Sequence, residues 1–226
     1  MNKSRQNRCK RALLISVSVL ICFLGGCGRK FDAVHYTQAV LDWNFQGNID
    51  GIRRYEKDAT KEELMQGYQT AVAGFTQAVI GSEFPMDGYK EEEFKELVSK
   101  IFTTMRYEVI KAEKKGKNYE VRVEIRPSDV MIRFKNALTT DSLKLAEETA
   151  QGKYTGTEEE IQEQLLRDIA NRSYELLAVS FEHQEFLEKK EIRLTVERKK
   201  DGSYQMDAED FERLINKILC LDEIQG

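Results

Sequence analysis

Apolar and polar positions along the chain follow two periods. From Phe31 to Phe45 the residues Phe31, Val34, Leu41 and Phe45 share one helical face, with Tyr36, Val40 and Trp43 beside it. Gly47 and the Asn48-Ile49-Asp50-Gly51 stretch predict the end of that helix, and a short piece is expected from Ile52 to Tyr55. Thr60-Lys61-Glu62-Glu63 has the form of a capping box, in which hydroxyl and carboxylate exchange bonds with the unpaired amides of a helix start. Leu64, Tyr68, Ala71, Val72, Phe75 and Val79 carry the pattern onward as a second helix. The 81–88 region, with Pro85, breaks it. A third helix presents Phe94, Leu97, Val98, Ile101, Phe102 and Met105.

The period then drops to two. Tyr107 and Val109 flank Glu108, and Tyr119, Val121, Val123 and Ile125 alternate with Glu120, Arg122, Glu124 and Arg126. One apolar and one charged face make a half-buried strand pair, and Lys114-Lys115-Gly116-Lys117-Asn118 suits a hairpin connector. Pro127 ends the second strand, and Ser128 or Asp129 can cap a helix carrying Val130, Met131, Phe134 and Leu138. A second capping box, Thr157-Glu158-Glu159-Glu160, opens a long helix with the stripe Ile161, Leu165, Ile169, Leu176. Further on, Ile192, Leu194 and Val196 alternate with Arg193, Thr195 and Glu197. Asp201-Gly202 is a turn signal into a return strand at Tyr204 and Met206. Asp207 can cap a last helix striped by Phe211, Leu214, Ile215 and Ile218.

Residues 89–138 and 158–219 therefore share the order helix, strand, strand, helix, without residue identity between them. Two hairpins with one apolar face each can join into a single antiparallel sheet of about four strands, packed on helices on one side. The fold class expected is α+β, helix-rich, from two αββα-like units. We expect one domain over 31–226, with 31–150 and 157–226 as subunits if it divides.

The N-terminus changes the picture of where such a domain works. Five bases (Lys3, Arg5, Arg8, Lys10, Arg11) precede a 13-residue apolar run from Ala12 to Leu24. That is short of the roughly 20 residues a membrane span needs, and fits the core of a signal peptide. Next comes Leu24-Gly25-Gly26-Cys27, which resembles a lipobox, the cleavage and lipidation motif of bacterial lipoproteins. The resemblance implies removal of residues 1–26, a diacylglyceryl group on the Cys27 sulfur and an anchor of fatty acids such as palmitate. It also implies a location on the extracytoplasmic face of a cell membrane. Residues 27–30 would be the lipidated tether, with Gly28, Arg29 and Lys30 spanning about 10 Å when extended.

Phe31-Asp32-Ala33-Val34 and Tyr119-Glu120-Val121-Arg122-Val123, behind that lipobox, resemble a group of small uncharacterised lipoproteins of Gram-positive bacteria. The resemblance implies an α+β fold loosely like cystatin or nuclear-transport-factor-like folds. It brings no catalytic residues with it.

Charge and cysteines agree with that address. The chain has 35 Lys+Arg against 39 Asp+Glu, and from Cys27 onward 30 bases against 39 acids, a balance of −9. An acidic body argues against nucleic acid as partner, because phosphate binding needs a cationic surface. Of four cysteines, Cys9 and Cys22 fall in the leader and Cys27 in the lipobox, so Cys220 has no partner for an intramolecular disulfide. At the end of an apolar helix pattern, it reads as a buried thiol.

The search for chemistry yields little. There is no Gly-x-Ser-x-Gly, no His-Glu-x-x-His, no phosphate-binding glycine loop and no Cys-x-x-Cys. His35 and His183 are far apart in sequence, and no metal or other cofactor is called for. Glu91, Glu92 and Glu93, like Glu158, Glu159 and Glu160, suit helix starts better than a cation site, and Asp87-Gly88-Tyr89-Lys90-Glu91 lacks calcium-loop spacing. Tyr36 and Trp43 are the candidate ligand-binding aromatics, although helical spacing favours them as core. A hairpin edge could accept an extended peptide.

Three roles compete on these features. The leading one is a membrane-anchored binding or structural module that meets the bilayer through acylated Cys27 and an envelope protein or peptide through its surface. The second is a cell-envelope hydrolase working with two carboxylates about 5 to 9.5 Å apart. An import receptor is weaker, for it needs two α/β lobes.

Overall fold

The computed structural model describes residues 31–84 and 88–224. Leu24, Gly25, Gly26, Cys27 and the tether lie outside the described residues, as do Pro85 and Asp87. Helix α1 (Ala33–Gln46) starts where the Asp32 carboxylate accepts the His35 amide. It stops at Gly47, whose φ of 64° is open to glycine and strained for a side chain. A single 3₁₀ turn (Ile52–Arg54) follows. Thr60 and Glu63 form the full capping box that opens α2 (Lys61–Phe75). At its end the chain widens into a π turn over Thr76–Ile80, closed by the Gly81 amide on the Thr76 carbonyl. The extra residue corrects the expected stripe: Ala78 and Ile80 are buried where the uninterrupted period placed Val79.

Helix α3 (Glu91–Thr103) buries Phe94, Leu97, Val98, Ile101 and Phe102. Strands β1 (Arg106–Lys115) and β2 (Asn118–Arg126) form the first hairpin, turning at Gly116-Lys117. β1 is longer than its two alternating residues suggested, because a bulge between Val109 and Lys111 resets its faces. Tyr107 and Val109 point inward before it and Ala112 after it, while Ile110 is the extra residue, 41% exposed. Without the bulge Lys111 and Glu113 would be aimed at the core.

Of the two candidate caps for α4 (Val130–Ala150), Ser128 is the one that works, its hydroxyl accepting the Val130 amide. Asp129 instead accepts the Glu185 amide and binds Arg133. The helix runs well past Leu138, with nothing buried after Phe134. α5 (Glu158–Glu182) begins at the second capping box. Its buried residues are Ala170, Ser173, Leu177 and Ser180, a correction to the expected stripe of Ile161, Leu165, Ile169 and Leu176, all of them half-buried. The first half of α5 packs mainly on α4, so its apolar side chains are covered from one side only.

β3 (Lys190–Arg198), β4 (Tyr204–Met206) and α6 (Ala208–Ile218), capped by Asp207, complete the chain as expected. The strands form one antiparallel sheet in the order β1-β2-β3-β4. β2 pairs with β3, Val121 opposite Leu194 and Tyr119 opposite Val196, so both αββα-like units contribute to a single sheet. This is the α+β class predicted. The inward residues Val121, Val123, Ile125, Leu194 and Val196 are at most 1% exposed and join Phe45, Phe94, Leu177 and Leu214 in one apolar cluster. Burying such a side chain contributes about 1.5 to 3 kcal/mol.

The opposite face is charged and open to solvent, as the alternation required. Its directly opposed pairs are alike in charge: Arg122 faces Arg193 and Glu124 faces Glu191. Diagonal contacts resolve this, Arg193 with Glu120 at 3.6 Å and Arg122 with Glu191 at 3.4 Å. Among the described residues no helix is long and apolar enough to cross a membrane.

Candidate functional site

The candidate aromatics turn inward. Trp43 is 5% exposed and donates its indole N–H to the Leu64 carbonyl at 2.9 Å, and Tyr36 is 3% exposed. Both rings pack in the core, the reading their helical spacing favoured. His35 sits in the first turn of α1 and bonds Asp32 at 2.7 Å, and His183 caps the end of α5. Burial pushes the Asp32 carboxyl up, but the amide and ring of His35 together outweigh it and hold the carboxyl below its ordinary value. Among the described residues no group of three or more His, Cys, Asp or Glu is arranged to hold a metal ion.

The two glutamate runs occupy first helical turns. Glu91 and Glu92 each lie 2.9 Å from Lys95, and Glu160 closes a capping box with Thr157. Cys220 is buried, and burial pushes its thiol above the ordinary value, so little reactive thiolate forms.

Two regions gather polar groups that linear reasoning did not bring together. One is the arm made by α4 and the first half of α5. Arg172 binds Asp141 through two nitrogens at 2.5 and 2.7 Å and Glu148 at 2.8 Å. Lys153 lies 2.8 Å from both Glu148 and Asp168, and the Tyr154 hydroxyl donates to Asp168 at 2.6 Å. An open depression of about 580 Å³ beside this network is lined by Lys153, Tyr154, Glu163, Arg167, Asp168 and Asn171. Hydrogen bonding by Lys153 lowers the Glu148 carboxyl. Burial raises that of Asp168, but Lys153 and Tyr154 outweigh it and hold the carboxyl low. A general acid needs a carboxyl raised towards neutrality. The pair is built as an electrostatic lock between two helices.

The other region is the end of the sheet where both hairpins turn. The pairing of Tyr119 with Val196 and of Arg198 with Tyr204 sets the 116–117 turn beside the 199–203 turn. Lys114, Lys115, Lys117, Arg198, Lys199 and Lys200 converge there, against Glu113, Glu197 and Asp201. Each acid is already engaged: Glu113 by Lys111 and Lys115, Glu197 by Lys199, and Asp201 by Ser203. Among the described residues Lys114, Lys117, Arg198 and Lys200 have no ion-pair partner. An open depression of about 530 Å³ lies between the turns, lined by Lys117, Asn118 and residues 197–200.

Phe31 marks the same end from the inner face. Its ring stacks on Tyr204 at 3.7 Å and lies 5.5 Å from Tyr119, the first residue of β4 and the second of β2. Tyr36 and Tyr55 complete the aromatic cluster. The chain thus enters the domain at the basic end of the sheet. Lys114-Lys115-Gly116-Lys117-Asn118 and Asp201-Gly202 were visible as turn signals, yet only strand register makes the two turns neighbours. The Asp168–Arg172 spacing of four was the one signal in sequence for the arm network.

No protein-family model and no curated protein sequence matches the chain. Among solved structures it is similar to a Bacillus subtilis chain described as a "putative lipoprotein (ycdA)", with a TM-score of 0.47 and 12% identity. The likeness covers 83% of this chain and 56% of that one, so this chain spans little more than half its length. At that score and identity it assigns this chain no function.

Proposed function

We propose that this chain is a lipoprotein anchored to the extracytoplasmic face of a cell membrane, its α+β domain acting as a binding or structural module. The observation that carries the reading is Leu24-Gly25-Gly26-Cys27 directly behind a basic stretch and a 13-residue apolar run. Each buried methylene of an acyl chain contributes about 0.8 kcal/mol, and two or more chains hold a protein where one is marginal. Among the described residues Cys220 is buried and forms no disulfide, so the domain is stabilised by its packed core.

The binding role belongs to surfaces other than the sheet edges. The β1 edge carries a bulge and Lys111, Lys114 and Lys115, features that discourage strand addition. Beyond three-residue β4 the outer edge of β3 is capped from α6, where Asp210 accepts the Thr195 amide and Arg213 donates to the Arg193 carbonyl. The basic hairpin end, the charged sheet face and the helical arm remain for an envelope protein, peptide or lipid. No observation favours the hydrolase, since the clustered carboxylates are bound by bases or helix amides.

Replacing the lipidated residue tests the reading. Cys27→Ser should abolish incorporation of labelled fatty acid and release the protein from the membrane fraction. Full membrane retention of an unlabelled wild-type protein would count against the anchor.

A further inference from the structure

We infer that the hairpin end of the sheet is a docking surface for the anionic phospholipid headgroups of the bilayer that holds the anchor, so that the domain stands on the membrane with both turns down. The inference rests on the proposed anchor and adds an orientation and a ligand class.

The first warrant is charge placement. From Phe31 onward the sequence carries 28 bases against 39 acids, a balance of −11, so a random patch of this domain is acidic. The two hairpin turns reverse that sign with six bases against three acids. Two of the three acids, Glu113 and Glu197, are paired with lysines and Asp201 is held by Ser203, while Lys114, Lys117, Arg198 and Lys200 are exposed and unpaired among the described residues. Unpaired bases gathered on neighbouring turns repel each other, and an anionic surface relieves that cost.

The second warrant is the length and exit point of the chain. Phe31 is pinned at the hairpin end by its stacking on Tyr204. Three residues separate it from Cys27, and the four residue-to-residue steps reach at most about 14 Å when extended. An acylated Cys27 at the headgroup level therefore brings this end to the bilayer first. The screening length in physiological salt is about 8 Å, so bases at the near end feel anionic headgroups while the acidic bulk of the domain does not. The arm, whose described bases are mostly paired, lacks both the free charge and the proximity.

The test uses the membrane-extracted full protein in vesicles of phosphatidylcholine alone or with phosphatidylglycerol, and reads lysine acetylation by mass spectrometry. On anionic vesicles Lys114, Lys117 and Lys200 should react about fivefold more slowly than on neutral ones, the ratio one headgroup-facing base contributes. Exposed Lys144 on the arm should react equally on both. High salt should erase the difference. In the charge-reversed Lys114→Glu/Lys117→Glu/Lys200→Glu protein, the remaining Lys115 and Lys199 should lose their dependence on phosphatidylglycerol.

The same spectra report the acyl group on Cys27, which separates the two readings. Acylated protein with equal hairpin reactivity on both vesicles overturns the docking surface and leaves the anchor standing. Uniform slowing that includes Lys144 overturns it as non-specific adsorption. Slowing by inorganic phosphate on neutral vesicles overturns it in favour of a soluble anion. An unacylated Cys27 sinks the anchor and this inference together.

Discussion

Single residues decide how tightly the N-terminal helices meet. A methyl added at Gly67 on α2 would fall 2.8 Å from Cζ2 of Trp43, inside contact distance. Alanine gains up to about 1 kcal/mol of helix propensity over glycine, but overpacking a core costs about 1 to 3 kcal/mol. Gly67→Ala should therefore lower stability in urea and shift the emission of Trp43, the sole tryptophan. Helical periodicity correctly suggested Trp43 as core but carried no signal for Gly67. Its role depends on a ring from another helix. Ile110 was hidden for a related reason, since a bulge has no sequence signature until a partner strand sets the register.

Helix starts were the most legible elements. Both capping boxes and the Asp207 cap are local, three-residue geometries, and all three form as written. Helix faces were less so where packing is one-sided, as on α5. The arm offers an element-scale prediction. Glu148 and Asp168 are held below the ordinary carboxyl range, so their stabilisation is complete above the unfolded value of about 4 and lost as pH falls through the lowered folded values. Lys153 is held above its ordinary range by Asp168 and Glu148, so its contribution is complete below its unfolded value near 10 and is lost as pH rises above it. Amide exchange over 141–168, corrected for intrinsic rates, should rise between about pH 7 and pH 3 before that of the sheet does. Equal protection at both values would mean the network contributes nothing to the arm.

At the scale of the molecule, the β2–β3 pairing joins two units that the sequence presented only as similar in order. Because Leu194 sits at 0% exposure opposite Val121, its truncation strikes the seam of the common core. Leu194→Ala should cost about 2 to 5 kcal/mol, with Trp43 fluorescence and far-UV circular dichroism melting together. Separate transitions would show that 31–150 and 157–226 unfold independently. The polarity of the molecule also appears only at this scale: an acidic domain is basic at the end where its chain enters.

The sequence by itself determined the α+β class, the caps and the alternating strands, because each depends on residues within a turn or two of one another. Strand order, the bulge that turns Lys111 outward, the buried face of α5 and the meeting of two lysine-rich turns were decided by tertiary structure alone. Those features depend on which surfaces close over each other, and neither contact nor charge density is local along a chain.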